Sequence, residues 1–358
     1  MYKRQPNACN GCHVEQDAKR AAETVTQWYG REPSSFQRYA EVFVAAEIEA
    51  PGAARDLAWF AEDRTQPAIA RATALEVLAG FPSQTTIEAA RAGLKDSDPL
   101  VRRGSLGTLG LLSPEQRLPL GTPLLEDPVR SVRMEAAWVL ADAMEQASPT
   151  QQAAFKKAAA EYEATQRYNA DRPEARAALG NFYARLGRVE EAQAQLRSAL
   201  ALEPDFVPAY VNLADLIRMQ GREADAERTL HEGLRVAPES AALHHALGLS
   251  LIRQGESNAA LIELQRAATI DAADPRFAYV YAVGLNSTGN SDGAIQVLDE
   301  ALTVHPNDRD LLSALVFFQR DAGNLAAALR AAEKLAMIDP EDRGIQRLVM
   351  ELRAAEGQ

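Results

Sequence analysis

The sequence has little of what most catalytic or nucleic-acid-binding proteins display. Its 358 residues hold two cysteines and five histidines, and His231, His244, His245 and His305 all lie far along the chain. A structural zinc site asks for four cysteine or histidine ligands, and there is no third cysteine to help build one. Lys and Arg number 38 against 50 Asp and Glu, for a net charge of −12, and no basic run stands out. Phosphate backbones are held by clustered Lys and Arg, so nucleic acid is excluded as a partner. No apolar stretch approaches the roughly 18 residues a membrane span requires. No glycine-rich phosphate loop occurs, and no nucleophile, base and orienting group can be proposed together. The sequence therefore points to a carrier or a binding protein before an enzyme. A proline- or glycine-rich linker is also missing, which predicts one continuous body in place of tethered beads.

The two cysteines that are present sit three apart with a histidine next: Cys9-Asn10-Gly11-Cys12-His13. This is C-x-x-C-H, the covalent attachment spacing of a c-type haem. Two thiols one helical turn apart can reach both porphyrin vinyl groups, and the adjacent imidazole is then held beneath the iron. The alternatives are a redox or disulfide pair, whose very short loop would stabilise little, or another metal. We expect haem c on Cys9 and Cys12, His13 as the proximal iron ligand, and electron transfer with a redox partner. The sixth ligand has no good candidate, because Met134 and Met144 read as core and the other histidines lie beyond residue 230. Met1–Gln5 resembles the translated end of a transposon used in sequencing-library preparation. Residues 1–5 are therefore expected to be a scar, with the distal ligand, an export signal and further haems encoded upstream. Haem attachment normally takes place outside the cytoplasm, so the expected compartment is the bacterial periplasm.

Residues 6–33 read as the remnant of a haem domain. Val14, Ala18, Ala21, Val25 and Trp28 recur at helical spacing, and Gly30 is a natural stop. Residues 34–147 carry a first repeat: Ala70-Arg71, Val101-Arg102 and Val132-Arg133 recur every 31 residues, with Asp96 and Asp127 six residues before the second and third arginines. Each arginine is expected to open an Ala- and Leu-rich helix, its preceding acid to cap that helix, and the arginine to pair with the neighbouring unit's acid. This pattern resembles HEAT repeats of the short type.

Residues 173–342 carry a second repeat. Gly187, Gly221, Gly255, Gly289 and Gly323 are spaced by 34, and Ala192, Ala226, Ala260, Ala294 and Ala328 share that period. Pro204, Pro238, Pro306 and Pro340 close four of the five units. Glycine permits a tight interhelical turn, alanine a close helix approach, and proline a stop. The period and residue types resemble the tetratricopeptide repeat. Residues 148–172 read as a helical joint and 343–358 as a capping helix. The expected fold is all-α: an α-solenoid of HEAT-like repeats followed by a five-unit tetratricopeptide superhelix.

The tetratricopeptide resemblance implies a concave groove for protein partners, lined by the first helix of each unit. It places Asn181, Arg185, Val211, Asp215, Arg218, His245, Leu249, Arg253, Tyr279, Asn286, Phe317 and Arg320 there. His244 and His245 are adjacent on a helix and should point apart, which argues against a paired metal site. Taken together, a C-x-x-C-H, a helix ending Trp-Tyr-Gly, HEAT-like units and tetratricopeptide units resemble the C-terminal part of bacterial multihaem c-type cytochromes fused to repeats. That resemblance implies that Cys9, Cys12 and His13 form the last haem site of several.

Overall fold

The computed structural model describes residues 18–30, 38–340 and 342–356. The chain forms two compact units, Met1–Val44 and Ala45–Gln358. Every regular element among the described residues is helical.

In the first unit the helix Ala18–Tyr29 ends where Gly30 enters the left-handed region at φ 70° and donates its N–H to the Thr26 carbonyl at 2.8 Å. The expected stop is therefore present, whereas Val14 lies outside the described residues. Trp28 is not a packed member of the stripe: it is 73% exposed, as Tyr29 is 75% exposed.

The second unit begins with the HEAT helices. They pair as Ala53–Glu62 with Ala68–Leu78, Gln84–Gly93 with Pro99–Thr108, and Pro114–Gly121 with Arg130–Leu140. The second helix of each pair starts one turn or less before the repeated arginine, and two of them tighten into 3-10 turns at Leu109–Leu111 and Ala141–Gln146. The arginines pair as expected. Arg71 meets Asp96 at 2.6 Å, Arg102 meets Asp127 at 2.7 Å, and Arg133 meets Glu161 at 2.8 Å. The acids do not act as helix caps, which corrects the expectation. Asp96 and Asp127 accept the backbone N–H groups of Asp98 and Val129, both at 2.8 Å, and so hold the loop before the helix. Where the second helix has a side-chain cap, at Leu100, Asp98 supplies it. Arg102 also donates to the Asp96 carbonyl at 2.8 Å, and Arg133 to the Asp127 carbonyl at 2.7 Å. The result is a continuous ladder in which each arginine binds the next acid along the row, and Arg102 and Arg133 also bind the loop before their own helix, while Arg71 binds the Ala61 carbonyl of the preceding helix at 2.8 Å. Burial opposes the charge on Asp96 and Asp127. The arginine and backbone hydrogen bonds outweigh it and hold both carboxyls below the usual range.

The five later units repeat a helix pair. Their first helices are Pro173–Arg185, Val207–Met219, Ala241–Arg253, Pro275–Ser287 and Arg309–Asp321. Their second helices are Val189–Leu202, Glu223–Val236, Ser257–Ile270, Ser291–Val304 and Leu325–Ile338. All five period-34 glycines sit at φ between 69° and 88°, the left-handed turn that glycine alone adopts without strain. The alanine five residues on is fully or almost fully buried in every unit. At Gly248 a Cβ would lie 2.7 Å from the Leu264 side chain, so the two helices of the third unit touch where there is no side chain to separate them.

The joint is the helix Pro149–Tyr168, opened by a capping box between Ser148 and Gln151. Its Tyr162 lies between Trp138 of the last HEAT helix and Phe182 of the first tetratricopeptide helix, at centroid distances of 5.8 and 4.6 Å. One buried apolar cluster runs from Leu94 through this joint to Ala260, so buried packing crosses the boundary between the two repeat types. A second cluster runs from Ala282 to Leu352 and ends on the helix Arg343–Glu356, which buries Val349 and Leu352. The start of this unit also meets its fifth tetratricopeptide pair. Asn307 donates from Nδ2 to the Ile48 carbonyl at 2.9 Å, across 259 positions of sequence.

Candidate partner groove

The first helices of the second, third, fourth and fifth units line a cavity of about 540 Å³. Its composition follows from the 34-residue period. Val211, His245 and Tyr279 occupy one repeat position, and Ala242, Arg276 and Asp310 another. Positions three and four apart share a helix face, so Ala242, Ala246, Leu249 and Arg253 face the same space from one helix.

The floor is apolar, made by Val211, Ala214, Ala246, Leu249, Phe277 and Val280. Most of the charges around it are paired locally. Arg253 meets Glu223 at 2.9 Å, Arg276 meets Asp274 at 2.5 Å, and Arg218 meets Asp215 at 3.3 Å. The hydrogen bond from Arg276 keeps the Asp274 carboxyl below its usual range. His245 packs its ring 5.2 Å from Phe277. Burial, and then the nearby Arg276 charge, push its pKa below the usual histidine value, so the imidazole is neutral near pH 7. Its Nδ1 is buried and has no hydrogen-bond partner. A neutral, apolar floor with an unused polar atom and paired ions at its edge suits an apolar side chain carried on a peptide backbone.

Of the residues the sequence places on the groove, Val211, Asp215, His245, Leu249, Arg253 and Tyr279 come together here. Arg218 stands beside them through Asp215. Arg185 belongs to the joint: it donates to Asp142 at 2.7 Å and to the Val139 carbonyl at 3.2 Å, with its guanidinium 5.4 Å from the Trp138 ring centre. Asn286 accepts the Ser291 hydroxyl at 2.8 Å and shapes a turn. Phe317 lies under Arg320, 5.1 Å from ring to guanidinium, and Arg320 pairs with Asp321 at 3.0 Å. Asn181 is half-buried on the first helix of the first unit. None of these last five lines the cavity. Arg276, Phe277, Val280 and Asp310 do line it and were not expected. The signal was available, since Arg276 and Asp310 follow Ala242 at the repeat period.

His244 turns the other way, as adjacency predicts. It is buried, with Nδ1 2.5 Å from Glu263 Oε2 and Nε2 2.9 Å from the Pro238 carbonyl. Cys9, Cys12 and His13 lie outside the described residues. Among the described residues no group of three or more His, Cys, Asp or Glu could hold a metal ion. No described helix is long and apolar enough to cross a membrane.

Family models agree with the two repeat types. A HEAT repeat model matches residues 54–141, and tetratricopeptide repeat models match 173–216, 207–232 and 285–352. No curated protein matches the chain. Among solved structures, yeast Tom70 is similar at 16% identity and a TM-score of 0.52, covering 83% of this chain and 65% of that one. MamA matches at 20% identity and a TM-score of 0.40, over 46% of this chain and 95% of that one. YrrB, described as a tetratricopeptide protein with an unusual peptide-binding site, matches at 20% and 0.39, over 53% and 96%. At these identities the likeness to Tom70 speaks for the all-helical repeat fold alone. With HEAT and tetratricopeptide repeats both present, the chain is a helical-repeat scaffold of the kind that presents extended surfaces to other proteins.

Proposed function

We propose that this scaffold binds a segment of a partner protein in the cavity between Val211 and Asp310, with an apolar side chain of the partner seated on Leu249, Phe277 and Val280. The observation that carries the reading is the cavity itself: about 540 Å³, apolar at its floor and flanked by ions that are already paired. Its repeated rows place the lining at a regular pitch, which suits a linear segment. The test is selection of peptides on the full chain, followed by titration calorimetry on Leu249→Glu. A selected peptide should lose at least about tenfold in affinity, because a carboxylate then faces the apolar anchor. Peptides whose affinity ignores Leu249→Glu and Val280→Glu would place the binding surface elsewhere.

A second reading rests on a separate observation, the Cys9–His13 motif. We propose that it attaches haem c through Cys9 and Cys12 with His13 on the iron, so that the scaffold carries an electron-transfer centre in an extracytoplasmic compartment. Expression with a c-type maturation system should give haem absorbance that survives denaturation and is lost in Cys9→Ala/Cys12→Ala. Haem that washes out under denaturant, or none, ends this reading and leaves the groove untouched.

A further inference from the structure

The turn that follows the helix Arg38–Glu47 reaches the N-terminus of the helix Arg309–Asp321 from the far end of the same unit. Ile48 supplies its carbonyl to Asn307 at 2.9 Å. Glu49, at φ 47°, is the one non-glycine residue among the described residues in the left-handed region. It is half-buried, and the Ile48–Asn307 bond sets it beside the start of the helix Arg309–Asp321. Beside this contact a cavity is shared between Gly52, Arg55 and Phe81 on one side and Arg309, Ile338 and Pro340 on the other. Two short stretches so distant in sequence meet only because the intervening repeats bring them together.

The charges at this contact oppose it. A helix N-terminus favours one carboxylate, and Asp308 already occupies it by capping Leu311 at 2.8 Å. Glu49, next to the bonded Ile48, is a second carboxyl group close enough to Asp308, and more weakly to Asp310, for their charges to disfavour its own. Arg309, paired with Asp339 at 3.0 Å, favours an ionised Glu49, but less than burial and Asp308 disfavour it, and Arg55 pairs with Asp56 at 3.5 Å. His305 lies near Asp308 from the preceding loop, and on the near side the closest charge in sequence is Glu47. We propose that this contact is a proton-dependent clasp, which holds the start of the Ala45–Gln358 unit against its fifth tetratricopeptide pair while Glu49 is protonated and loosens when Glu49 ionises.

The titration agrees with the geometry. Burial, then the Asp308 charge, push Glu49 up to about 7, and burial likewise raises Asp308. In an opened form Glu49 returns to the ordinary carboxyl range. The closed form then binds the proton more tightly. Closure is therefore strongest in acid, weakens as pH climbs above the ordinary carboxyl value, and levels off above about 7. The closure constant should fall on the order of a hundredfold across that window. Asp310 also lines the partner groove, so the clasp borders the groove. The inference does not depend on what binds there.

Small-angle X-ray scattering of the full chain at about pH 5 and about pH 8 tests it, with far-UV circular dichroism to check the helices. The wild type should gain in radius of gyration and maximum dimension at the higher pH, and Glu49→Gln should stay compact at both. Asp308→Asn keeps a good N-cap and removes the principal repelling charge, so its expansion should move to higher pH. Two results overturn the proposal: a wild type of unchanged dimensions, or an expansion that Glu49→Gln and Asp308→Asn share in full.

Discussion

The HEAT segment and the tetratricopeptide segment solve the same problem, stacking helix pairs in a row, by different chemistry. In the HEAT segment neighbouring units are tied by buried ion pairs, with Arg71, Asp96, Arg102 and Asp127 each under about one-eighth exposed at the side chain. In the tetratricopeptide segment the recurring features are steric: a left-handed glycine, a buried alanine and contacts as close as Gly248 against Leu264. Its ion pairs are mostly at the surface, such as Arg353 with Glu333, and exposed pairs contribute little. Both rows use close glycine contacts, such as Gly104 against Ala72 in the HEAT segment, but only the HEAT row adds a buried arginine–aspartate ladder.

Acid should separate the two most. Asp96 and Asp127 have folded-state pKa values below the ordinary one. Their contribution is complete above the unfolded carboxyl value of about 3.9 and is lost as pH falls through the lower folded values. Pepsin cleavage along a descending pH series should therefore release fragments from residues 54–141 before fragments from 173–342. Equal release, or the reverse order, would break the comparison. The next effect in size is Asp127→Ala, which leaves Arg102 buried without its partner. It should cost about 3–5 kcal/mol in urea unfolding, against under about 1 kcal/mol for Arg353→Ala. Between those two lies Gly255→Ala. A Cβ there meets nothing within 4 Å, so only the left-handed backbone is penalised, by roughly 1–2 kcal/mol. A Gly255→Ala cost as large as that of Asp127→Ala would mean that turn conformation, not charge, dominates both rows.

The sequence made the two periods plain because each rests on residues with one physical use. A glycine repeated every 34 residues marks a turn, and an arginine and aspartate repeated every 31 mark a ladder. The role of Asp96 was harder to read. An acid shortly before a helix looks like a cap, and only the three-dimensional loop shows that it binds Asp98 N–H instead. The groove was half legible. Val211, His245 and Tyr279 follow from helix geometry, but Arg276 and Asp310 sit in first turns, where sequence suggests capping before lining. Arg185 had the right repeat position, yet Asp142, 43 residues earlier, draws it into the joint. The contact of Ile48 with Asn307 leaves no local pattern at all, because it depends on the accumulated rotation of every unit between them.

The joint helix Pro149–Tyr168 has a consequence for how the molecule comes apart. In a row of units stability is close to a sum of each unit and its interfaces, so a weak interface lets one side unfold while the other persists. Here Glu161 on that helix terminates the arginine ladder through Arg133, while Tyr162, the next residue, enters the aromatic stack with Phe182. Adjacent residues of one helix thus belong to both rows. The boundary between repeat types is therefore a point of shared cooperativity: losing either row strips this helix of half its contacts. Fraying should begin at the outer ends and stall on reaching residue 149 or 168, so that the seam between the two repeat types is among the last places to open.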